Sequence, residues 1–98
     1  MNGKLCSESM NQLMKAIADL KTVEECYAFF EDLCTVSELK SMQQRFHVAM
    51  MLDDGAQYSD IVETTGASTA TISRVNRALT YGADGYKAVI ARIKENKQ

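Results

Sequence analysis

The stretch YSDIVETTGASTATISRVNRAL, residues 58–79, constrains the fold more than any other part of the chain, because it demands two short helices joined by a glycine corner. Ser59 can N-cap a helix reaching Thr65, Gly66 supplies the left-handed residue that ends it, and Ser68 can cap a second helix from Thr69 to Leu79. Ile61, Val62, Thr65 and Ala67 then face Ile72, Val75 and Leu79 across the corner, the last three forming one stripe at helical spacing. This is the pattern of a helix-turn-helix.

On a wheel of 3.6 residues per turn, the opposite face of the second helix carries Ala70, Ser73, Arg74 and Arg77, with Thr71 beside them. It holds two cations and no acid. Arginine can bond guanine or phosphate, hydroxyls can bond either, and alanine permits close approach. Ser68, Thr69, Ala70, Thr71, Ser73, Arg74 and Arg77 are therefore the candidate contacts to double-stranded DNA in a major groove. The unpaired N–H groups of the helix start add a weak anion site. The competing reading is a helical hairpin with a glycine turn and a solvated arginine face.

The formal charge of −2 argues against a nucleic-acid partner until its distribution is examined. Residues 1–36 carry −3, residues 37–65 carry −3, and residues 66–98 carry +4. The positive field thus lies with the candidate recognition helix. Phosphate neutralisation by one copy is limited, and a homodimer presenting two copies strengthens it.

Ninety-eight residues suit a single domain over 1–98, with a core modest enough that oligomerisation is an expected source of stability. No apolar run approaches a membrane span, and MNGKLCSESM lacks the apolar centre of a signal peptide. No membrane partner is expected, and the cytoplasm is the default location. Cys6, Cys26 and Cys34 are odd in number and form no C-x-x-C pair, which points to reduced, mostly buried thiols. With His47 the only histidine, no metal-ligand spacing is present. Neither an acid/base pair, a nucleophile triad nor a glycine-rich phosphate loop suggests an enzyme.

The remaining segments also read as helices. The first runs from about Ser7 or Ser9 to Leu20, with Met10, Leu13, Met14, Ile17 and Leu20 on a wide apolar stripe. Thr22-Val-Glu-Glu25 is a capping box opening the second, where Val23, Cys26, Tyr27, Phe30, Leu33 and Cys34 share a face and Phe29 lies off it. These stripes suggest a second apolar contact. Ser37 can cap a third helix from Glu38 to about Asp54, closed by Gly55, with Leu39, Met42, Phe46, Val48, Ala49, Met50 and Leu52 as buried candidates. Within it Arg45 is expected to snorkel and His47 to be partly buried. After the loop Tyr81–Gly85, Asp84 can cap a last helix through about Lys94, with Tyr86, Val89, Ile90 and Ile93 inward. Lys87, Arg92, Lys94 and Lys97 are expected to form a solvated face. Proline is absent and no strand pattern competes, so the fold class is all-α with six helices.

The run Gly66-Ala67-Ser-Thr-Ala70-Thr71-Ile72-Ser73-Arg74, preceded by the helix end from Arg45 to Gly55, resembles the Trp repressor superfamily, more closely its YerC/YecD-type branch than the repressor itself. The resemblance extends from about Leu33 to Ile93. It implies a six-helix Trp-repressor-like fold in an intertwined homodimer, with helices one, two, three and six of both chains in a shared core and the helix-turn-helix units as two reading heads. It also implies a transcriptional repressor at a palindromic operator, its heads roughly one DNA turn, ~34 Å, apart.

By the same resemblance Arg45 and Arg74 match the two arginines that hold the co-repressor, Thr71 lines the same site, and Cys34 and Thr35 fall in its other wall. Val75 stands where the family has a glycine against which the indole lies, and Asp32 where it has a leucine. An expected ligand pocket of Arg45, Thr71, Arg74 and Val75 is thus not expected to take tryptophan. No cofactor is expected, and an unidentified small-molecule co-repressor is the one ligand class left open. Ser59 and Val62 replace basic DNA-contacting residues, which leaves one alternative function: a helix-turn-helix protein-interaction module without specific DNA binding.

Overall fold

The computed structural model describes residues 3–96. Among them there are six helices and no strand: α1 (Glu8–Ala18), α2 (Val23–Leu33), α3 (Val36–Asp53), α4 (Tyr58–Thr65), α5 (Thr69–Tyr81) and α6 (Gly85–Asn96). The chain divides into two compact units, Met1–Leu39 and Lys40–Gln98.

In the first unit, side-chain caps set the helix starts. Ser7 accepts the Met10 N–H at 3.1 Å, and Thr22 accepts the Glu25 N–H at 3.0 Å while Glu25 returns to accept the Lys21 N–H at 2.7 Å. The third helix starts earlier than Ser37 allows. Thr35 caps it, its Oγ1 accepting the Glu38 N–H at 3.1 Å while Glu38 Oε1 accepts the Thr35 N–H at 2.8 Å. Hydrogen bonding to the Glu38 carboxylate, from the Thr35 backbone N–H first and from its side chain second, holds that carboxyl below its ordinary range. Neither α1 nor α2 contains a buried residue, and the expected inward residues Val23, Tyr27 and Leu33 are exposed.

The second unit closes a core. Val48, Ala49, Ile61, Ala67, Ile72, Val75, Leu79 and Ile90 are buried, with Phe46, Met50, Met51, Leu52, Ala56 and Tyr86 packed against them. Ile72, Val75 and Leu79 are the stripe expected from their spacing. Val62 departs from expectation and is exposed, because it lies a helical step of about 100° beyond buried Ile61. Val89 and Met42 are exposed as well, and so is His47, whose position on α3 lies opposite buried Val48 and Ala49. α5 packs on α4 and α6 packs on α5.

The junctions in this unit follow from local backbone chemistry. After α3, Gly55 takes φ 82 and donates its N–H to the Leu52 carbonyl, while Ala56 donates to the Met51 carbonyl, each at 3.0 Å. This double bond pattern satisfies the last carbonyls of the helix. Gly82 ends α5 in a different way: a Cβ there would lie 2.3 Å from the Ala78 carbonyl oxygen, so only glycine fits without a backbone shift. Asp84 occupies the start of α6 through its carbonyl, which accepts the Ala88 N–H at 3.0 Å. Its φ of 67 is left-handed, not the extended conformation typical of a side-chain N-cap.

Candidate nucleic-acid interface

The corner between α4 and α5 is held by a set of local hydrogen bonds and one from α3. Gly66 sits at φ 74 and donates its N–H to the Val62 carbonyl at 2.9 Å. Thr65 Oγ1 donates to the Ile61 carbonyl at 2.7 Å and accepts the Ala67 N–H at 3.1 Å. From α3, Gln44 Nε2 donates to the Thr65 carbonyl at 3.2 Å, giving a partner to one of the carbonyls left open at the end of α4. Ala67 is buried in the corner, and a larger side chain would push the two helices apart. Gln44 has no local sequence signature, since its partner lies 21 residues away.

Ser68 caps α5. Its Oγ accepts the Thr71 N–H and donates to Thr71 Oγ1, both at 3.1 Å, so these two hydroxyls are engaged in holding the helix start. Ser59 does not play the equivalent part for α4. Gln57 is the N-cap there, without a side-chain hydrogen bond, and Ser59 lies inside the first turn. The reason is spatial: the turn at Gly55 leaves only Ala56 and Gln57 before Tyr58 enters the helix.

The face opposite the α5 core stripe is open. Thr69, Ala70, Ser73, Arg74 and Arg77 are exposed with Ser68, and Thr71 is half-buried beside them. α5 contains no acidic residue. The side chains proposed from the sequence as DNA contacts therefore share one accessible surface, with two guanidinium groups and free hydroxyls on Thr69 and Ser73 able to meet phosphate oxygens or base edges.

The four residues expected around a ligand differ in exposure and in what they contact. Arg45 is half-buried and donates from Nη1 to Ser41 Oγ at 2.9 Å. Arg74 is exposed, and Val75, one residue on, is committed to the core at 2% exposure. One cleft in this unit is lined by Gln43, Phe46, His47, Met50, Met51 and Asp54, and another by Phe46, Ala78, Ala83, Gly85, Tyr86 and Val89. None of Arg45, Thr71, Arg74 and Val75 lines either. Among the described residues no three His, Cys, Asp or Glu side chains come together as metal ligands, and no helix is long and apolar enough to cross a membrane.

Lys94 is exposed, as expected, and it also reaches the end of α3. Its Nζ lies 2.5 Å from Asp53 Oδ2 and 2.7 Å from Asp54 Oδ1. The hydrogen bond to Asp53, then that to Asp54, raises the lysine pKa above its ordinary value.

A six-helix chain with a capped, exposed, acid-free second helix in a helix-turn-helix has the fold of a DNA-binding regulator. Residues 8–94 match the family model of the Trp repressor protein, and the chain belongs to that family, which is regulatory and not enzymatic. It is 51% identical over 94 residues to the uncharacterized protein YerC of Bacillus subtilis (strain 168), covering 96% of this chain and 90% of that relative. It is also similar to the crystal structure of a TrpR-like protein from Eubacterium eligens ATCC 27750, with 55% identity and a TM-score of 0.91 over 95% of this chain and 96% of that one.

Proposed function

We propose that the protein is a sequence-specific DNA-binding transcriptional regulator, a repressor in kind, that acts as a homodimer and does not use L-tryptophan as co-repressor. The observation that carries the DNA reading is the open α5 face: Arg74 and Arg77 exposed among small and hydroxyl residues, with no acid on the helix. That combination is suited to a major groove and to the phosphates that flank it. The dimer reading is supported by α1 and α2, which contain no fully buried residue and leave Met14, Val23, Tyr27 and Leu33 exposed. A second copy would bury them and place two reading heads on one duplex.

Tryptophan independence is supported by Val75. A flat indole approaches a helix closely only over bare backbone, and this position carries a branched side chain that fills the core. Arg45 and Arg74 then serve DNA phosphate or a different, smaller anion. Titration calorimetry with L-tryptophan is expected to show no binding at millimolar ligand.

The test of the whole reading is selection of bound fragments from the cognate genome followed by footprinting. Two protected half-sites about one DNA turn apart, ~34 Å, are expected. A second reading, a protein-interaction module, is favoured by the exposed Tyr58 and Val62 on α4 and the acidic total of the chain. It predicts that no fragment is enriched.

A further inference from the structure

We propose that Lys94 is a positioning residue for the reading head: by clamping the two carboxylates at the end of α3, it fixes the turn from which α4, and through it α5, departs. The clamp answers a local electrostatic conflict. A helix C-terminus carries partial negative charge and favours cations nearby. α3 instead ends in Asp53 and Asp54 and has no basic residue in its last turn. Lys94 of α6, 41 and 40 residues further along the chain, supplies the missing cation with both oxygens in reach, at 2.5 and 2.7 Å.

What the clamp holds is the entrance to the helix-turn-helix. Asp54 is followed directly by Gly55 at φ 82, and Tyr58 already belongs to α4. Because α6 packs on α5 and α5 packs on α4, the contact of Lys94 with the α3 end closes a ring of four helices around that turn. The direction of α4 is then set from two sides. Loss of the clamp frees one of them. The pair is exposed enough that salt and water screen it, with 43% of the Lys94 side chain and 62% of the Asp54 side chain accessible. Its effect therefore falls on the turn, and not on global stability.

The proposal rests on the regulator reading only for its DNA arm. Backbone hydrogen exchange of the full chain, without DNA, is compared for wild type, Lys94→Gln and Lys94→Arg. Lys94→Gln is expected to speed exchange of the Gly55 and Ala56 amides by about two- to five-fold while Ile72 and Val75 keep their wild-type rates, and Lys94→Arg to stay near wild type. In ~1 M salt, where the screening length is about 3 Å, wild type should approach the glutamine variant. Unchanged exchange at Gly55 and Ala56, or an equal rise at Ile72 and Val75, overturns the clamp. Affinity for a selected DNA fragment should fall by a similar factor in Lys94→Gln. A freed turn with unchanged affinity overturns the positioning role. If wild type binds no DNA at all, the regulator reading fails, whereas the exchange rates still decide the clamp.

Discussion

The two compact units are both made of amphipathic helices, yet they meet solvent in opposite ways. In Lys40–Gln98 the apolar stripes of α3, α4, α5 and α6 meet around Ile61, Ile72 and Ile90, none more than 1% exposed. In Met1–Leu39 the apolar stripes of α1 and α2 leave Val23 67% and Tyr27 68% exposed, and no residue of either helix is buried. Periodicity thus declares which side of a helix is apolar without saying what covers it. For one unit the cover is the same chain. For the other we look to a second copy.

The largest effect that could break this contrast comes from charging the uncovered stripe. Replacing Val23 and Tyr27 together by glutamate would be nearly neutral on a true monomer surface, within about 0.5 kcal/mol. In an obligate dimer it should abolish assembly and, with it, the helical circular-dichroism signal at micromolar protein. Sedimentation showing a folded monomer in wild type would remove the dimer.

Next in size is Ile72→Ala in the closed core. A fully buried isoleucine truncated to alanine should cost about 2–5 kcal/mol, read as a lowered denaturation midpoint with native secondary structure retained. A smaller effect would mean that the second unit is less closed than its burial indicates. Ser68→Ala follows, with an expected loss of about 1 kcal/mol because the Thr71 N–H loses its acceptor.

The smallest effect is a pH dependence in the first unit. The folded pKa of Glu38 is depressed, so its contribution is fully present above the ordinary value of 4.5 and is lost as pH falls through the lower folded value. Stability of wild type should therefore decline more steeply below pH 4.5 than that of Glu38→Gln, measured by urea denaturation across that range. Parallel pH profiles would show that the Thr35 capping bonds do not survive in solution.

These contrasts also explain what the sequence could disclose. The stripe Ile72, Val75 and Leu79, the left-handed Gly66 and the Ser68 cap were legible because each depends on residues within a few positions. Ser37 and Thr35 both resemble caps, but only Thr35 has a carboxylate three residues on to return the hydrogen bond; Ser37 has Lys40 there. The start of α4 at Tyr58 followed from the length of the Gly55 turn, which no residue pattern states. Lys94 and Gln44 were illegible for a different reason, since their partners are 40 and 21 residues distant. The α5 face was readable as a surface because its exposed side follows from the position of the buried stripe, to which Val75 belongs.

DNA binding through the α5 face is tested by the affinity of a selected operator fragment as a function of salt, for wild type, Arg74→Ala and Arg77→Ala. The logarithm of affinity is expected to fall linearly with the logarithm of salt concentration. Each alanine variant should either reduce that slope by about 1, for a phosphate contact, or weaken specific binding by about 1–3 kcal/mol, for a base contact. A flat salt dependence, or two variants that bind as wild type does, would contradict it.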